Sequence, residues 1–266
     1  MRRLVCLNPV FQIAMSRCRA SGIHFAISLF VGLVLLALCW FVWLPAPMLL
    51  AIGGHEIFLL IVGIDVVIGP LLTLVVFKTG KKKLKFDLAM IALLQILALV
   101  YGVSTLLEAR PVYVAALGDK FQVIQATEVT DANLEKAKAT LPWWGPRWVG
   151  TQAPTDSADT YAANYLEELG FGRGHLPQLH VAYEAMAKEL LERAQPIAEL
   201  KKTNASQSSE IDAWLAQRGY QEQSAKFQPI RISASEFVVI IDAKTAAVVG
   251  IAPFKSATAL KAKQAH

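Results

Sequence analysis

Cysteine is scarce in this chain, with three among 266 residues, at positions 6, 18 and 39, and none beyond. There is no CxxC pair, which excludes a dithiol redox motif and a cysteine-rich zinc site, and everything after Cys39 must fold without a disulfide. Histidine is missing where one motif needs it. His55-Glu56 opens like a zinc-protease helix, but position 59, which would carry the second ligand on the same helical face, is Leu59. The glycine-rich run from Gly170 to Gly174 has no strand before it and no Gly-Lys-Ser/Thr after it, so it is not a phosphate loop. His175 and His180 lie near Tyr183 and Glu184 without a further His or Cys to close a metal set, and they read as solvated helix residues. No Ser-His-Asp, Ser-Lys or paired-carboxylate signature is present, and neither a cofactor nor a catalytic role is expected. Positive charge is also absent from Pro45 to Glu56, although Lys and Arg total 26.

What the chain has is apolar surface. Hydrophobic residues make up 55% and mean hydropathy is +0.42, concentrated before Leu107, so a membrane domain over 23–107 precedes a domain of ordinary composition over 108–254. Three spans are predicted, at 25–44, 57–77 and 88–107, each near the roughly 20 residues that cross a bilayer. The first is not a cleaved signal, because Pro45-Ala46-Pro47 follows where a small-residue cleavage site is required. Trp40 and Trp43 sit at its far end, as headgroup-level indoles do, and His24 at its near end reads as an interfacial residue. Residues 1–14 read as a start-site extension ahead of Met15, and Pro9 would interrupt a helix there.

Arg17, Arg19, Lys78, Lys81, Lys82, Lys83 and Lys85 flank the same ends of the spans, while the first connection carries no positive charge. This asymmetry predicts a cytoplasmic N-terminus and lysine loop, with residues from Glu108 onward across the membrane. The net charge of +5 therefore reflects topology and a lipid bilayer, not nucleic acid.

The second span is the unusual one. Asp65 lies inside it, at an insertion cost of about 2.5–3.5 kcal/mol, and Gly69-Pro70 predicts a kink or a close helix contact. Asp65 is either held by a structural hydrogen bond, to Gln95, Thr73 or backbone near Gly69, or a functional polar site; His55 and Glu56 either cap the span or share a docking spot with it.

Beyond the membrane, β-segments are expected at 112–117, 121–129, 227–233, 237–242 and 246–252, with helices at 131–140 capped by Thr130, 156–169, 177–193, 196–202 and 209–218. A four- or five-stranded sheet against about four helices makes this an α+β domain. The stretch 141–154, rich in Trp, Pro and Gly, reads as an irregular loop. Its Trp143, Trp144, Arg147 and Trp148 are a candidate partner-binding patch, with packing on the domain or on the membrane surface as the alternative. Residues 255–266 form a basic tail.

The run from Asp65 through Gly69, Pro70, Leu71 and Thr73 to Phe77, the lysine-rich loop, the further apolar helix and then Arg110-Pro111-Val112-Tyr113 resemble the TfpX/TfpZ-type accessory proteins of type IV pilins, most clearly from Ile23 to Val129. The resemblance implies a chaperone-like partner of the major pilin, and of other pilus assembly proteins, in fimbrial biogenesis at the bacterial inner membrane, with a periplasmic domain and no reaction to catalyse. It also implies a partner helix that carries a glutamate and a free amine near its cytoplasmic end. A membrane-bound enzyme using Asp65, His55 and Glu56, and an extracytoplasmic sensor, are the competing readings.

Overall fold

A computed structural model describes residues 9–43, 48, 54–232 and 235–256; for 9–15, 54–55, 57 and 235–236 it describes the backbone alone. The basic tail after Ser256, the residues before Pro9 and most of the first connection lie outside the described residues. Two compact units emerge. One holds residues up to Phe41 together with Gly53–Leu107, and the other holds Val42–Ile52 with Glu108–His266.

The first unit is helical. Helix α1 (Pro9–Leu38) runs into a wide five-residue turn at Cys39–Trp43. Helix α2 (Gly54–Gly63), a second wide turn (Ile64–Ile68) and α3 (Gly69–Val76) form one continuous rod, and α4 (Leu84–Ala109) follows the lysine loop. The apolar stretches able to cross a membrane are Ser16–Trp43, Phe58–Val76 and Leu84–Ala109. The outer two are longer than the predicted 25–44 and 88–107, since nothing helix-breaking stands between the apolar run and the polar residues just outside it.

The second unit is built on one curled, mixed sheet, so the chain is a three-helix membrane region followed by an α+β domain. Its strands are β1 (Pro111–Ala116), β2 (Phe121–Gln125), β3 (Arg147–Thr151), β4 (His180–Ala182), β5 (Gln195–Pro196), β6 (Ala225–Ile232), β7 (Ser235–Asp242) and β8 (Val248–Ala252). They run in the order β4-β3-β1-β2-β6-β7-β8, with β5 added beside β6. Helices α5 (Asp131–Ala137), α6 (Ser157–Glu168), α7 (Ala187–Arg193), α8 (Ile197–Thr203) and α9 (Ser208–Ala216) complete it. Thr130 caps α5 by accepting the Asn133 N–H, and Asp156 caps α6 by accepting that of Asp159.

Among the described residues eight strands, not four or five, form the sheet, and the additional ones explain the difference. β3 arises inside the stretch expected to be irregular: Arg147 to Gly150 pair in parallel with Tyr113 to Ala116. Gly150 is required there, because a Cβ would lie 2.5 Å from Met186 Cγ. β4 lies within the predicted helix 177–193, of which only Ala187–Arg193 is α-helical. Pro177 opens a short 3-10 turn, and the pairing of Gly150 with Val181 holds His180–Ala182 extended before the α-helix can start. A two-residue strand such as β5 carries no periodic signal at all.

One core cluster gathers Val114, Phe121, Leu190, Ile230, Ile232, Val239 and Ile241, and Met48 from the first connection is buried with them. A second collects Ile197, Leu200, Ile211, Leu215, Phe227, Val238 and Ile240 between the sheet and α8–α9. Burial on both faces of β7 is why its sequence, Phe237 to Ile241, is continuously apolar rather than alternating.

Candidate functional site

Several buried or half-buried polar residues of the membrane unit bond one another between helices. Pro70 is the origin of their arrangement. In the wide turn Ile64–Ile68 the backbone bonds run from residue i to i+5, so the carbonyl of Asp65 looks to the N–H of residue 70, which proline lacks. Gln95 on α4 supplies a substitute: its Nε2 donates to the Asp65 carbonyl at 3.1 Å. Gly69 makes room for it, since a Cβ at that position would fall onto the Gln95 amide. The Pro70 carbonyl in turn accepts from Ser21 Oγ on α1 at 2.9 Å. The Asp65 side chain is buried, and its Oδ1 has no hydrogen-bond partner among the described residues. The amide therefore serves the backbone of the break, and it also interacts with the Asp65 side chain.

One turn further on, Thr73 is buried at 3% exposure and bonds His24 Nδ1 of α1 through its hydroxyl at 2.6 Å. His24 stands seven residues past Arg17, about 10 Å along a helix at 1.5 Å per residue, and Thr73 stands five before Lys78. The pair thus lies near the basic ends of the spans. It also lines an open crevice of about 460 Å³, walled by Ala20, Ile23, His24, Ile27, Thr73, Leu88 and Ala92 from α1, α3 and α4. The crevice is almost wholly apolar apart from the His24–Thr73 pair.

In the second unit Arg110, the residue after α4, is buried, and burial pushes its guanidinium below the usual range. It lies 5.4 Å from the ring centre of Trp143 and donates to the Pro142 carbonyl. Tyr113 in β1 packs edge-on to His180 at 4.7 Å. Burial raises the Tyr113 phenol, with Arg147 working against it, and burial lowers His180, whose Nε2–H is directed at the Gly174 carbonyl 2.8 Å away. His175 is buried as well, with Nδ1 2.9 Å from the Gly172 carbonyl and Nε2 3.5 Å from Glu128, so neither histidine is the solvated helix residue expected. A cavity of about 610 Å³ lies beside Trp148, Tyr183 and Glu184, where Tyr183 reaches from the end of β4 to donate to Ala246 ahead of β8. These contacts hold the curl of the sheet.

Two fimbrial assembly proteins of Dichelobacter nodosus, of serogroups E1 and I, are 30% and 31% identical to this chain over 232 residues, 84% of the chain and 90% of each relative. The chain belongs to the fimbrial assembly protein family. A further member, of serogroups C1 and C2, is 37% identical over 122 residues, 45% of the chain and 92% of that protein. No family model matches the chain, and no solved structure does.

Within this fimbrial assembly protein the residues singled out from sequence fall into three places. Asp65, Gly69, Pro70 and Thr73 share one stretch of helix, while Leu71 turns outward at 55% exposure. Glu56 is exposed in the first turn of α2, and the His55 side chain lies outside the described residues. Nine residues separate Glu56 from Asp65, about 13 Å along the axis, so the two carboxylates do not share a spot. The expected tryptophan patch is split by β3. Trp143 and Trp144 remain outside at 65% and 80% exposure, whereas Trp148 packs edge-on to Phe121, with 5.8 Å between ring centres. The member that sequence reading missed is His24. The clue was its spacing, since a histidine seven residues past Arg17 is already inside the span.

Proposed function

We propose that this protein is an inner-membrane accessory of type IV pili that binds a pilin within the bilayer and assists or modulates its stability and assembly, chaperone-like and without catalysing a reaction. The observation that carries this reading is the crevice between α1, α3 and α4 with His24 and Thr73 at its polar point. The His24–Thr73 bond joins α1 to α3 and also leaves a polar group on an otherwise apolar wall. A pilin helix, apolar with a glutamate near its cytoplasmic end, supplies both chemistries: side chains for the walls and a carboxylate for His24. The crevice takes the side chains of part of such a helix, not the helix itself. Membership of the fimbrial assembly family supports the process, and the basic residues at Arg17, Arg19 and Lys78 to Lys85 support a cytoplasmic N-terminus, hence a periplasmic second domain. Periplasm-active reporters fused after Lys120 should be active and those after Lys83 silent.

The test of binding is co-purification of pilin with the detergent-extracted protein. Ala92→Trp fills the crevice and His24→Phe keeps volume without the polar point. Both variants are expected to accumulate normally and to retain about tenfold less pilin, equivalent to about 1.4 kcal/mol. Parental pilin yield from Ala92→Trp would overturn the assignment.

A further inference from the structure

Two indoles stay largely exposed among the described residues. Trp148 is used against Phe121 and Tyr183, and Trp214 lies beneath the Arg218 guanidinium at 3.7 Å, but Trp143 and Trp144 are 65% and 80% exposed. Their loop is held on one side by a residue at the end of one membrane span and passes close to the end of another. Arg110, which follows the last residue of the span Leu84–Ala109, lies 5.4 Å from the Trp143 ring centre and bonds the Pro142 carbonyl. On the other side, a Cβ at Gly145 would lie 3.4 Å from the carbonyl of Val42, one residue before Trp43 closes the span Ser16–Trp43. Both of these span ends face the same side of the membrane, because two further crossings separate them.

Residues held within about a side chain's length of two points where the chain leaves the hydrocarbon stand at the headgroup layer, which is roughly 5–8 Å deep on each side. Indole favours that layer, since its ring is apolar and its N–H needs a wet partner. Trp40, 43% exposed near the end of the first span, is an indole of the same kind. We propose that Trp143 and Trp144 enter the phospholipid headgroup layer and that the loop from Leu141 to Pro146 is a membrane-surface anchor for the second unit. Arg110 then holds the loop in place from within the fold, through Pro142 and Trp143. The ligand is a phospholipid, not a protein, so the contact exists without pilin.

The test uses the full chain in vesicles of phosphatidylethanolamine and phosphatidylglycerol, with and without lipids brominated near the headgroup end of the acyl chain. A Trp40→Phe/Trp43→Phe background leaves Trp143, Trp144, Trp148 and Trp214 as emitters. Brominated lipid should quench about half of that emission, two of four indoles, while aqueous iodide quenches little of it. Adding Trp143→Ser and Trp144→Ser should abolish the bromine effect and leave the emission of Trp148 and Trp214. Should the background variant not accumulate, fluorine NMR of the fluorotryptophan-labelled parent, assigned by Trp143→Phe and Trp144→Phe, gives the same comparison of bilayer-soluble with water-soluble paramagnetic agents. Strong iodide quenching with no bromine quenching would overturn the proposal and leave the two indoles as a surface for a protein.

Discussion

In the membrane unit the large apolar side chains point outward. Phe41, Val75 and Tyr101 are each at least three-quarters exposed, whereas in the second unit Val238, Val239, Ile240 and Ile241 are wholly buried in succession along β7. In water, apolar burial decides which residues are inside. In lipid it decides nothing, because a leucine is equally at home against a neighbouring helix or an acyl chain. The information that arranges α1, α3 and α4 is therefore carried by the exceptions. Gln95 satisfies a carbonyl that Pro70 left open, Ser21 reaches the Pro70 carbonyl, and His24 meets Thr73. Small residues add to this: a Cβ at Gly102 would lie 2.5 Å from Ile61 Cγ1.

Matched substitutions in the two units separate these two kinds of information. The largest expected effect is Ile240→Ala, which empties a buried site at a cost of about 2–5 kcal/mol, while Leu97→Ala on α4, 57% exposed toward lipid, should change the thermal midpoint little. Equal losses would mean that lipid-facing residues carry stability after all. Next comes Gln95→Leu, more apolar yet expected to lower thermal stability in detergent by about 1–2 kcal/mol, because the Asp65 carbonyl loses its donor. Asp65→Asn should accumulate at the parental level or above, since Oδ1 has no partner to forfeit, the amide oxygen can keep the Gln95 contact, and the charge is removed from the span. A fall in accumulation with Asn would assign the carboxylate itself a structural duty.

The smallest effect concerns pH. Burial lowers His180 below its ordinary value of 6.5, so the unfolded chain binds a proton more readily than the folded one. Stability is unaffected well above pH 6.5 and falls as pH drops through that value toward the folded pKa. His180→Gln should flatten thermal midpoints between pH 7 and 5; unchanged pH dependence would show that His180 does not carry it.

This same contrast explains what could be read from the sequence. The spans were legible in composition, and strands such as β6 and β7 in their apolar runs, because both signals are local. β3 and β4 were not, since Gly150 and Val181 become strand residues only by pairing with each other and with β1. In the site, Asp65, Gly69 and Pro70 stood out as residues that a span should not contain. His24 did not, because an interfacial histidine is ordinary and its meaning comes from Thr73, forty-nine residues away. The tryptophan stretch was recognised as a unit, but a strand of period two divides it, sending Trp148 to the aromatic cluster while Trp143 and Trp144 stay outside.

The crevice as a pilin seat is the central claim, and photo-crosslinking in the bilayer tests it most directly. A photoreactive residue at Ile23, on the crevice wall, is compared with one at Leu97, which stands half a turn around α4 from the wall residue Leu88. In cells that make the cognate pilin, crosslinks to pilin are expected from position 23 and not from 97. Crosslinking from 97 alone, or equally from both, would contradict the account.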